Sequence, residues 1–258
     1  MILKIGLFDS GIGGLTVLTQ LVKRMNNVEY IYVADTKNAP FGVKSQQEIL
    51  RISTRVIDFL ASQGAECVVT ACNTADASIR ISEHGFQIPY FGILDFELPE
   101  NFDKVVVIAT EFTARSGIYG KILRAKGVKE CLELPCQSFV RIVEDGLMES
   151  PIADQEIENC LSPIRNTDIR ILVFGCTHFP FLAERIRQHF PELKFFDPAE
   201  SVADKIAQRF AKDSLNRGRV NFYVTGDLST FVKKIEKYKD TFSVDFCVQS
   251  IDLEAQRR

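Results

Sequence analysis

The sequence lacks any apolar run that approaches the roughly 20 residues needed to span a bilayer. It also lacks a signal-peptide pattern, because Met1 is followed almost at once by a predicted strand. No long run of one charge is present, and 31 basic residues face 34 acidic ones, for a formal net charge of −3. These absences predict a cytoplasmic protein with no membrane segment and no broad nucleic-acid footprint, whose partner is a small solute.

The cysteines fit neither a disulfide framework nor a metal site. Seven of them, an odd number, are scattered through 258 residues, a chain long enough to bury a core without covalent staples. We therefore expect most of them to be reduced. Three are expected to pack among apolar or helical neighbours: Cys67, Cys160 and Cys247. A zinc site would combine Cys72, Cys176 and His178, but no CxxC or HExxH spacing supports it, so no metal is predicted.

The opening of the chain falls short of a dinucleotide-binding fingerprint. An apolar strand over residues 2–8 ends in Asp-Ser-Gly-Ile-Gly-Gly, whose glycines permit a tight turn with N–H groups facing an anion. Thr16 stands where the third glycine of G-x-G-x-x-G belongs, and Asp9 would lie beside the pyrophosphate. Asp35 does resemble the ribose-binding acid of that motif. A nucleotide-binding or regulatory protein is therefore a weaker alternative, which titration with NAD or ATP would test.

Two predicted strands end in a cysteine. A β-branched run stops at Cys72, and small polar residues then lead into a helix-compatible segment. About a hundred residues later, a second apolar run stops at Cys176, ahead of Thr177 and His178. Each thiol is thus expected at the carboxyl end of a parallel strand and at the start of a helix.

The strand and helix patterns alternate twice along the chain. A βαβαβ succession is followed by a linker, and a second cycle begins with the strand predicted over 104–109. Asp9 and Cys72 are 63 positions apart, and Thr110 and Cys176 are 66 apart. Because each cycle places a polar loop and then a cysteine at nearly equal separation, the spacing suggests an internal duplication.

We therefore predict an α/β protein of two pseudo-symmetric doubly wound domains with mainly parallel sheets. The first domain is predicted over 1–94 plus 211–258, and the second over 95–210. Ligands of such sheets bind outside the carboxyl ends of the strands, so the active site is expected in the cleft between the domains. A helix N-terminus or a nearby cation lowers a thiol pKa from about 8.5, so both cysteines are expected to favour the thiolate.

Two separated thiols favour one kind of chemistry over two others. A hydrolase or transferase needs a nucleophile with an oriented histidine, and Cys176 is poorly placed for that because His178 is only two residues away. A redox dithiol would favour a CxxC motif. Thiols on mirrored units suit removal of a proton from one face of a carbon and its return to the other face. The sequence therefore favours inversion of a stereocentre.

An acidic residue near an apolar helix stripe has two interpretations. The helix predicted over 137–148 carries Phe139, Val140 and Val143 on one stripe, and Glu144 falls on or beside it. Its carboxylate either reaches solvent from the margin of the stripe or belongs to the site, where burial would raise its pKa.

Several short segments of the chain match one family together. They are Ile-Gly-Leu-Phe-Asp-Ser-Gly-Ile-Gly-Gly at 5–14, Ala-Asp at 34–35, Pro-Phe-Gly at 40–42, Ala-Cys-Asn-Thr-Ala at 71–75, Gly-Cys-Thr-His-Phe-Pro at 175–180, and the stretches 110–119 and 139–144. In these segments the sequence resembles the cofactor-independent glutamate racemases of the aspartate/glutamate racemase superfamily. The resemblance runs through nearly the whole chain.

The resemblance implies interconversion of L- and D-glutamate without a cofactor, supplying D-glutamate for peptidoglycan, by an enzyme that is commonly a homodimer. It implies that Cys72, assisted by Asp9, takes the α-proton from D-glutamate, and that Cys176, assisted by His178, takes it from L-glutamate. The residues that match the family's substrate-binding positions are Ser10, Asp35, Pro40, Phe41, Gly42, Asn73, Thr74, Thr113, Glu144 and Thr177.

The sequence departs from the family pattern at three places. Phe41 replaces the usual tyrosine, Arg141 replaces a proline before Glu144, and residues 94–96 alter an Ile-Glu-Pro segment. The first change removes a hydroxyl but keeps the backbone donors of the loop. None of the three touches the thiols. A racemase for aspartate or another acidic amino acid remains an alternative.

Overall fold

Strands and helices alternate along the chain. The computed structural model describes residues 2–211, 218–237 and 244–255. The strands are β1 (Lys4–Asp9), β2 (Glu29–Ala34), β3 (Cys67–Thr70), β4 (Tyr90–Gly92), β5 (Lys104–Ala109), β6 (Glu130–Pro135), β7 (Ile171–Gly175), β8 (Lys194–Phe196), β9 (Arg219–Val224) and β10 (Asp245–Ser250). The α-helices are α1 (Leu15–Arg24), α2 (Gln46–Ser62), α3 (Asn73–Ile81), α4 (Glu111–Ser116), α5 (Ile118–Ala125), α6 (Ser138–Glu144), α7 (Pro151–Leu161), α8 (Ala183–His189), α9 (Pro198–Phe210) and α10 (Leu228–Glu236).

The strands form two parallel sheets. The first has the order β10-β9-β2-β1-β3-β4 and the second has the order β6-β5-β7-β8. Every pairing among these strands is parallel. The inner strands β1 and β5 are buried from their second residue to their last, as parallel strands covered on both faces should be. The predicted α/β class with two mainly parallel sheets is confirmed.

Four strands of the first sheet have counterparts in the second. The order β2-β1-β3-β4 repeats as β6-β5-β7-β8. Cys72 follows β3 and Cys176 follows β7, so the two thiols come after equivalent strands. This correspondence agrees with the near-equal spacing seen in the sequence.

The C-terminal strands extend the first sheet. β9 pairs with β2, with Arg219 opposite Glu29, and β10 pairs with β9. Helix α9 is joined to α1 by a hydrogen bond of 2.6 Å from Arg24 Nε to Asp204 Oδ1. The domain limits named above stay a prediction, and parts of the segment 211–258 lie outside the described residues.

The helices are amphipathic and pack on the sheets. Helix α1 buries one face, through Leu15, Leu18 and Leu21, while its last turn carries basic residues that suit a helix C-terminus. Helix α2 starts beside Ser45, whose hydroxyl accepts from the Glu48 N–H at 3.3 Å. Within the part of the chain that the structure describes, no helix combines the length and the apolar character required to cross a membrane.

Strand β6 and one disulfide were not expected from the sequence. β6 is an edge strand with alternating exposed and half-buried residues, so it lacks the continuous apolar run that revealed β5 and β7. Cys136, directly after β6, forms a disulfide with Cys160 of α7, with the Cα atoms 5.8 Å apart. The expectation that Cys160 packs as a free thiol is therefore wrong, because the fold brings together two cysteines 24 positions apart. The expectation that Cys247 packs among apolar neighbours is also wrong, because it is exposed on the edge strand β10.

A buried carboxylate holds the connection between the two sheets. Asp76 of α3 is fully buried and accepts hydrogen bonds from Leu94 N at 2.8 Å, Tyr90 Oη at 2.9 Å and Arg80 Nε at 3.0 Å. Arg80 also pairs with Asp95 at 2.8 Å. The segment that leaves the first sheet is thus fixed through α3.

We predict that Asp76→Ala lowers the free energy of unfolding by about 2 to 4 kcal/mol, because three donors lose their buried acceptor. Urea denaturation measures the change. The matched control is Asp58→Ala on the exposed face of α2, expected to stay within about 0.5 kcal/mol of the unsubstituted protein. Equal midpoints and slopes for Asp76→Ala and the unsubstituted protein would contradict the assignment.

Candidate active site

The carboxyl ends of β1, β3, β5 and β7 meet at one cavity of about 690 Å³. The predicted site residues that line it are Ser10, Pro40, Phe41, Gly42, Cys72, Asn73, Thr74, Glu144, Cys176, Thr177 and His178. Three other predicted residues lie outside the lining: Asp9, Asp35 and Thr113. The structure therefore brings both thiols to the same space, in the cleft between the two sheets.

Cys72 lies at the N-terminus of α3 and is 5 % exposed. Its Sγ donates to Ser10 Oγ at 3.8 Å. Burial raises the pKa of the Cys72 thiol, and the Asp9 carboxylate raises it further, while the Ala75 N–H and Ser10 lower it. Cys72 is therefore a neutral thiol at neutral pH. The expectation that its helix position favours the thiolate is wrong, because desolvation outweighs the helix N-terminus.

Asp9 lies behind the cavity wall, fully buried at the end of β1. Its Oδ1 accepts from the Gly11 N–H at 2.9 Å, and its Oδ2 accepts from Thr177 Oγ1 at 3.1 Å. Burial raises the pKa of Asp9, and the His178 charge and these hydrogen bonds oppose the rise. Since Thr177 follows β7, the Asp9 carboxylate joins the two sheets, and its influence on Cys72 is electrostatic.

Cys176 lies in a loop that differs from the one around Cys72. A short 3-10 turn over Phe179–Leu182 separates Cys176 from α8. The expectation that Cys176 lies at the start of an α-helix is therefore wrong. The residue is 6 % exposed. Its Sγ is 3.9 Å from His178 Nδ1, and His178 Nε2 is 2.7 Å from Glu144 Oε1. The positive charge near this sulfur therefore belongs to the His178 side chain and not to the N-terminus of an α-helix.

The pKa values of His178 and Glu144 move apart. Burial lowers the pKa of His178, but its contacts with Cys176 and Glu144 prevail and raise it from 6.5 to about 10. Burial raises the pKa of Glu144, but His178 and Lys234 prevail and lower it from 4.5 to about 2. The two residues form an imidazolium–carboxylate pair at neutral pH. Glu144 thus belongs to the cavity wall, as the second interpretation from the sequence had it, but the expected rise of its pKa is wrong because two cationic partners outweigh burial.

Hydroxyl groups form the wall beside Cys72. Thr74 Oγ1 lies 2.8 Å from Thr110 Oγ1 and 3.3 Å from Thr113 Oγ1, and the last two are 3.0 Å apart. Thr113 contacts the cavity only through the other two. Tyr119 Oη donates to Asn73 Oδ1 at 2.5 Å, which fixes the orientation of the Asn73 amide. These groups can donate to a carboxylate without an arginine.

The Pro40-Phe41-Gly42 loop reaches the cavity from the first sheet. Phe41 is buried against Phe8, with ring centroids 6.0 Å apart, so the ring that replaces the usual tyrosine serves the core as well as the wall. A Cβ on Gly42 would lie 2.7 Å from Thr110 Cβ. Glycine therefore permits the close approach of this loop to the end of β5.

Asp35 is not brought to the cavity. Its Oδ1 accepts from Thr225 Oγ1 at 2.7 Å and its Oδ2 accepts from Asn38 Nδ2 at 3.0 Å. Burial raises its pKa, and those two hydrogen bonds oppose the rise. The carboxylate therefore holds the loop after β2 to the loop after β9, where it borders a separate small pocket.

Some polar lining residues were not identified as site residues from the sequence. They are Thr36, Thr110, Gln137, Asp227, Thr230 and Lys234. Thr110 follows β5 just as Ser10 follows β1, so the duplication itself was a signal for it. Thr230 and Lys234 are four positions apart on α10 and share one helix face, but only the folded chain shows that this face meets the cleft.

Comparison with known proteins agrees with this geometry. The sequence profile of the Asp/Glu/hydantoin racemase family matches residues 8–206. The chain belongs to this family. It is 34% identical over 260 residues to the glutamate racemase of Carboxydothermus hydrogenoformans, covering 98% of this chain and 97% of that one. It is 38% identical over 242 residues to the glutamate racemase of Thermoanaerobacter sp. (strain X514), covering 90% and 91%.

A solved racemase structure shares the fold. The crystal structure of glutamate racemase from Francisella tularensis in complex with D-glutamate matches this one with a TM-score of 0.87 at 28% identity, covering 98% of both chains. The family resemblance predicted from the short motifs is confirmed.

We predict that His178 remains an imidazolium above pH 8, because its partners raise its pKa to about 10. Nitrogen-15 NMR of the ring measures this, and a His178→Asn variant assigns the signal among the three histidines. In Glu144→Gln the pKa should fall, because the partner charge is lost. A neutral His178 ring at pH 7 in the unsubstituted protein would contradict the ion pair.

The same pair predicts how stability changes with pH. The pKa of His178 in the folded protein lies above its unfolded value, near 6.5. Its contribution to the free energy of unfolding is therefore complete below about pH 6.5 and is lost as the pH rises toward 10. Urea unfolding from pH 6 to 10 should show this loss. The loss of unfolding free energy should be smaller in the Glu144→Gln variant. The same dependence of unfolding free energy on pH in the two proteins would contradict the expectation.

Proposed function

We propose that the protein is a glutamate racemase that interconverts L- and D-glutamate through two thiols, without a cofactor. The observation that carries the proposal is that Cys72 and Cys176 follow equivalent strands of the two sheets and line the same cavity. A cofactor-free inversion requires an acid or base on each face of the α-carbon, and two such groups stand here in one cleft. Membership of the racemase family supports the same reaction.

In each turnover of the proposed reaction, one thiol takes a proton from the α-carbon and the other thiol gives a proton to it. With L-glutamate bound, the Cys176 thiolate accepts the α-proton, and the electron pair of the broken C–H bond remains on the α-carbon and its carboxylate. The Cys72 thiol then gives its proton to the opposite face, so the product is D-glutamate and the thiolate is now Cys72. With D-glutamate the roles reverse, and Cys72 is the base.

The environment of each thiol supports these roles. Cys72 is a neutral thiol, ready to act as the acid toward a bound L-substrate. The His178 imidazolium lies 3.9 Å from Cys176 Sγ and stabilises negative charge there. Asp9 assists Cys72 by its charge, which raises the pKa of the thiol and makes Cys72 a stronger base toward D-glutamate. Both cysteine residues are buried, so electrostatic interactions at their sulfurs are stronger than in water.

The substrate carboxylates are held by donors from both sheets. We propose Ser10, Asn73, Thr74 and Thr177 as these donors, because all four line the cavity and hydrogen bonds from them strengthen as negative charge develops. Thr177 donates through its backbone N–H, since its hydroxyl donates to Asp9. The loop Pro40, Phe41 and Gly42 closes one side, and Glu144 borders the opposite side. Thr113 acts from behind the wall, which it does not line, and Asp35 is left out of the proposal because it borders a separate pocket.

The biological setting follows from the proposed reaction. We propose that the protein acts in the cytoplasm as a homodimer, as the resemblance to its family implies, and supplies D-glutamate for peptidoglycan. Size-exclusion chromatography with light scattering measures the dimer directly, and a single monomer peak at micromolar concentration would overturn that part.

We predict that Cys72→Ser and Cys176→Ser each lower the rate of racemisation by about 10²- to 10⁴-fold, because each removes one acid–base group. Circular dichroism of L- and D-glutamate, with pyridoxal phosphate excluded, measures the rate. In deuterated water the product of the unsubstituted enzyme should carry deuterium at the α-carbon. The matched control is Cys247→Ser, an exposed cysteine, expected to leave the rate unchanged.

Full activity of either single serine variant would overturn the two-thiol scheme, although not the racemase activity itself. L- and D-aspartate are assayed in parallel. Faster loss of optical rotation with aspartate than with glutamate would reassign the substrate.

A further inference from the structure

An ion pair joins α10 to α6 across the cleft. Lys234 lies on α10, which follows β9 of the first sheet, and Glu144 is the last residue of α6, which follows β6 of the second sheet. Lys234 Nζ pairs with Glu144 Oε2, and both side chains are partly shielded, with 28% and 24% exposed. Resting on the function proposed above, we propose that Lys234 is a positioning residue that acts on Cys176 through Glu144 and His178.

The two oxygens of Glu144 have separate partners. Oε1 lies 2.7 Å from His178 Nε2 and accepts from the Ile12 N–H at 3.5 Å, whereas Oε2 pairs with Lys234. The carboxylate is therefore held from two directions and cannot rotate without losing a contact. Since His178 Nδ1 is 3.9 Å from Cys176 Sγ, an unbroken chain of contacts runs from Lys234 to the sulfur.

Glu144 has a particular need for a cationic partner. It ends α6, and the C-terminal end of a helix disfavours a negative charge. On the side of Oε1 the carboxylate lies close to the Gly11 backbone, since a Cβ added to Gly11 would be only 2.6 Å from Oε1. Lys234 compensates the unfavourable end of the helix and keeps the carboxylate in the narrow space beside the glycine loop.

Helix α10 presents Lys234 from a fixed position. Asp227 caps the helix by accepting from the Thr230 N–H at 2.7 Å. Phe231 and Ile235 are buried, and the Phe231 ring lies 5.8 Å from that of Phe222 on β9. A lysine on a capped, packed helix loses less freedom when it forms an ion pair than one on a loop.

The chain of contacts ends at one thiol only. Removing Lys234 frees one oxygen of Glu144 and loosens His178, so proton transfer at Cys176 slows while Cys72 keeps Ser10 and Asp9 as neighbours. L- and D-glutamate are enantiomers of equal free energy, so kcat/KM must fall by the same factor in both directions. Transfer at Cys176 becomes more rate-limiting in both directions, but it removes the α-proton of L-glutamate and returns a proton to the intermediate formed from D-glutamate.

The test compares Lys234→Met, Lys234→Arg and the control Lys233→Met. Lys233 is the exposed neighbour on the same helix and does not line the cavity. We expect Lys234→Met to lower kcat/KM for glutamate about 10- to 100-fold, through kcat more than KM, because small displacements of reacting groups cost rates of that order. Lys234→Arg should recover most of the loss, and Lys233→Met should match the unsubstituted enzyme. Thermal unfolding of each variant checks that it is folded.

Isotope effects identify the thiol that is affected. In Lys234→Met, the primary isotope effect on kcat/KM should rise with L-[2-²H]glutamate, whose deuteron Cys176 removes, and fall with D-[2-²H]glutamate, whose deuteron Cys72 removes. Equal changes in the two directions would overturn the proposal, because a general loss of structure does not distinguish the thiols.

A double-mutant cycle separates positioning from direct substrate binding. If Lys234 acts through Glu144, then Lys234→Met should cost little more in a Glu144→Gln background. A full, additive loss in that background, carried by KM, would mean that Lys234 binds the substrate itself and would overturn the proposal. Unchanged kcat/KM in Lys234→Met would also overturn it. An unchanged kcat/KM would not affect the proposed function. The proposed function fails only if the unsubstituted enzyme does not racemise glutamate.

Discussion

The ion pair between Glu144 and His178 is the contact on which the arrangement of the cleft depends. It places a buried imidazolium 3.9 Å from the Cys176 sulfur, and a cation in that position is stable only because an anion lies 2.7 Å away on its other side. Asp9 and Thr177 make a second polar contact between the sheets, at 3.1 Å. Together these contacts hold the strand ends of two separate sheets against one cavity.

The two thiols are equivalent in topology but not in electrostatics. Cys72 follows β3, precedes an α-helix and has the Asp9 carboxylate as its charged neighbour. Cys176 follows β7, precedes a 3-10 turn and has an imidazolium beside it. One side of the cleft therefore places a carboxylate near its thiol, and the other side places an imidazolium near its thiol.

Local patterns were enough to identify most of the strands and both cysteines. β1, β5 and β7 are continuous apolar runs, as parallel strands buried on both faces must be, and each stops at polar residues that the fold places in the cleft or directly behind it. β6 escaped notice because an edge strand that alternates exposed and half-buried residues has no such run. The disulfide between Cys136 and Cys160 was missed because sequence separation does not reveal which chain segments become neighbours.

By itself the sequence determined the α/β class, the pairing of each thiol with a strand end, and the family, since all three depend on short segments whose meaning is local. Only the tertiary structure decided the charges in the cleft. Burial reversed the expected ionisation of Cys72, the fold turned Asp35 toward Thr225 and away from the cavity, and a helix from the far end of the chain brought Lys234 to Glu144. These outcomes depend on desolvation and on contacts between distant residues, which no stretch of neighbouring residues encodes.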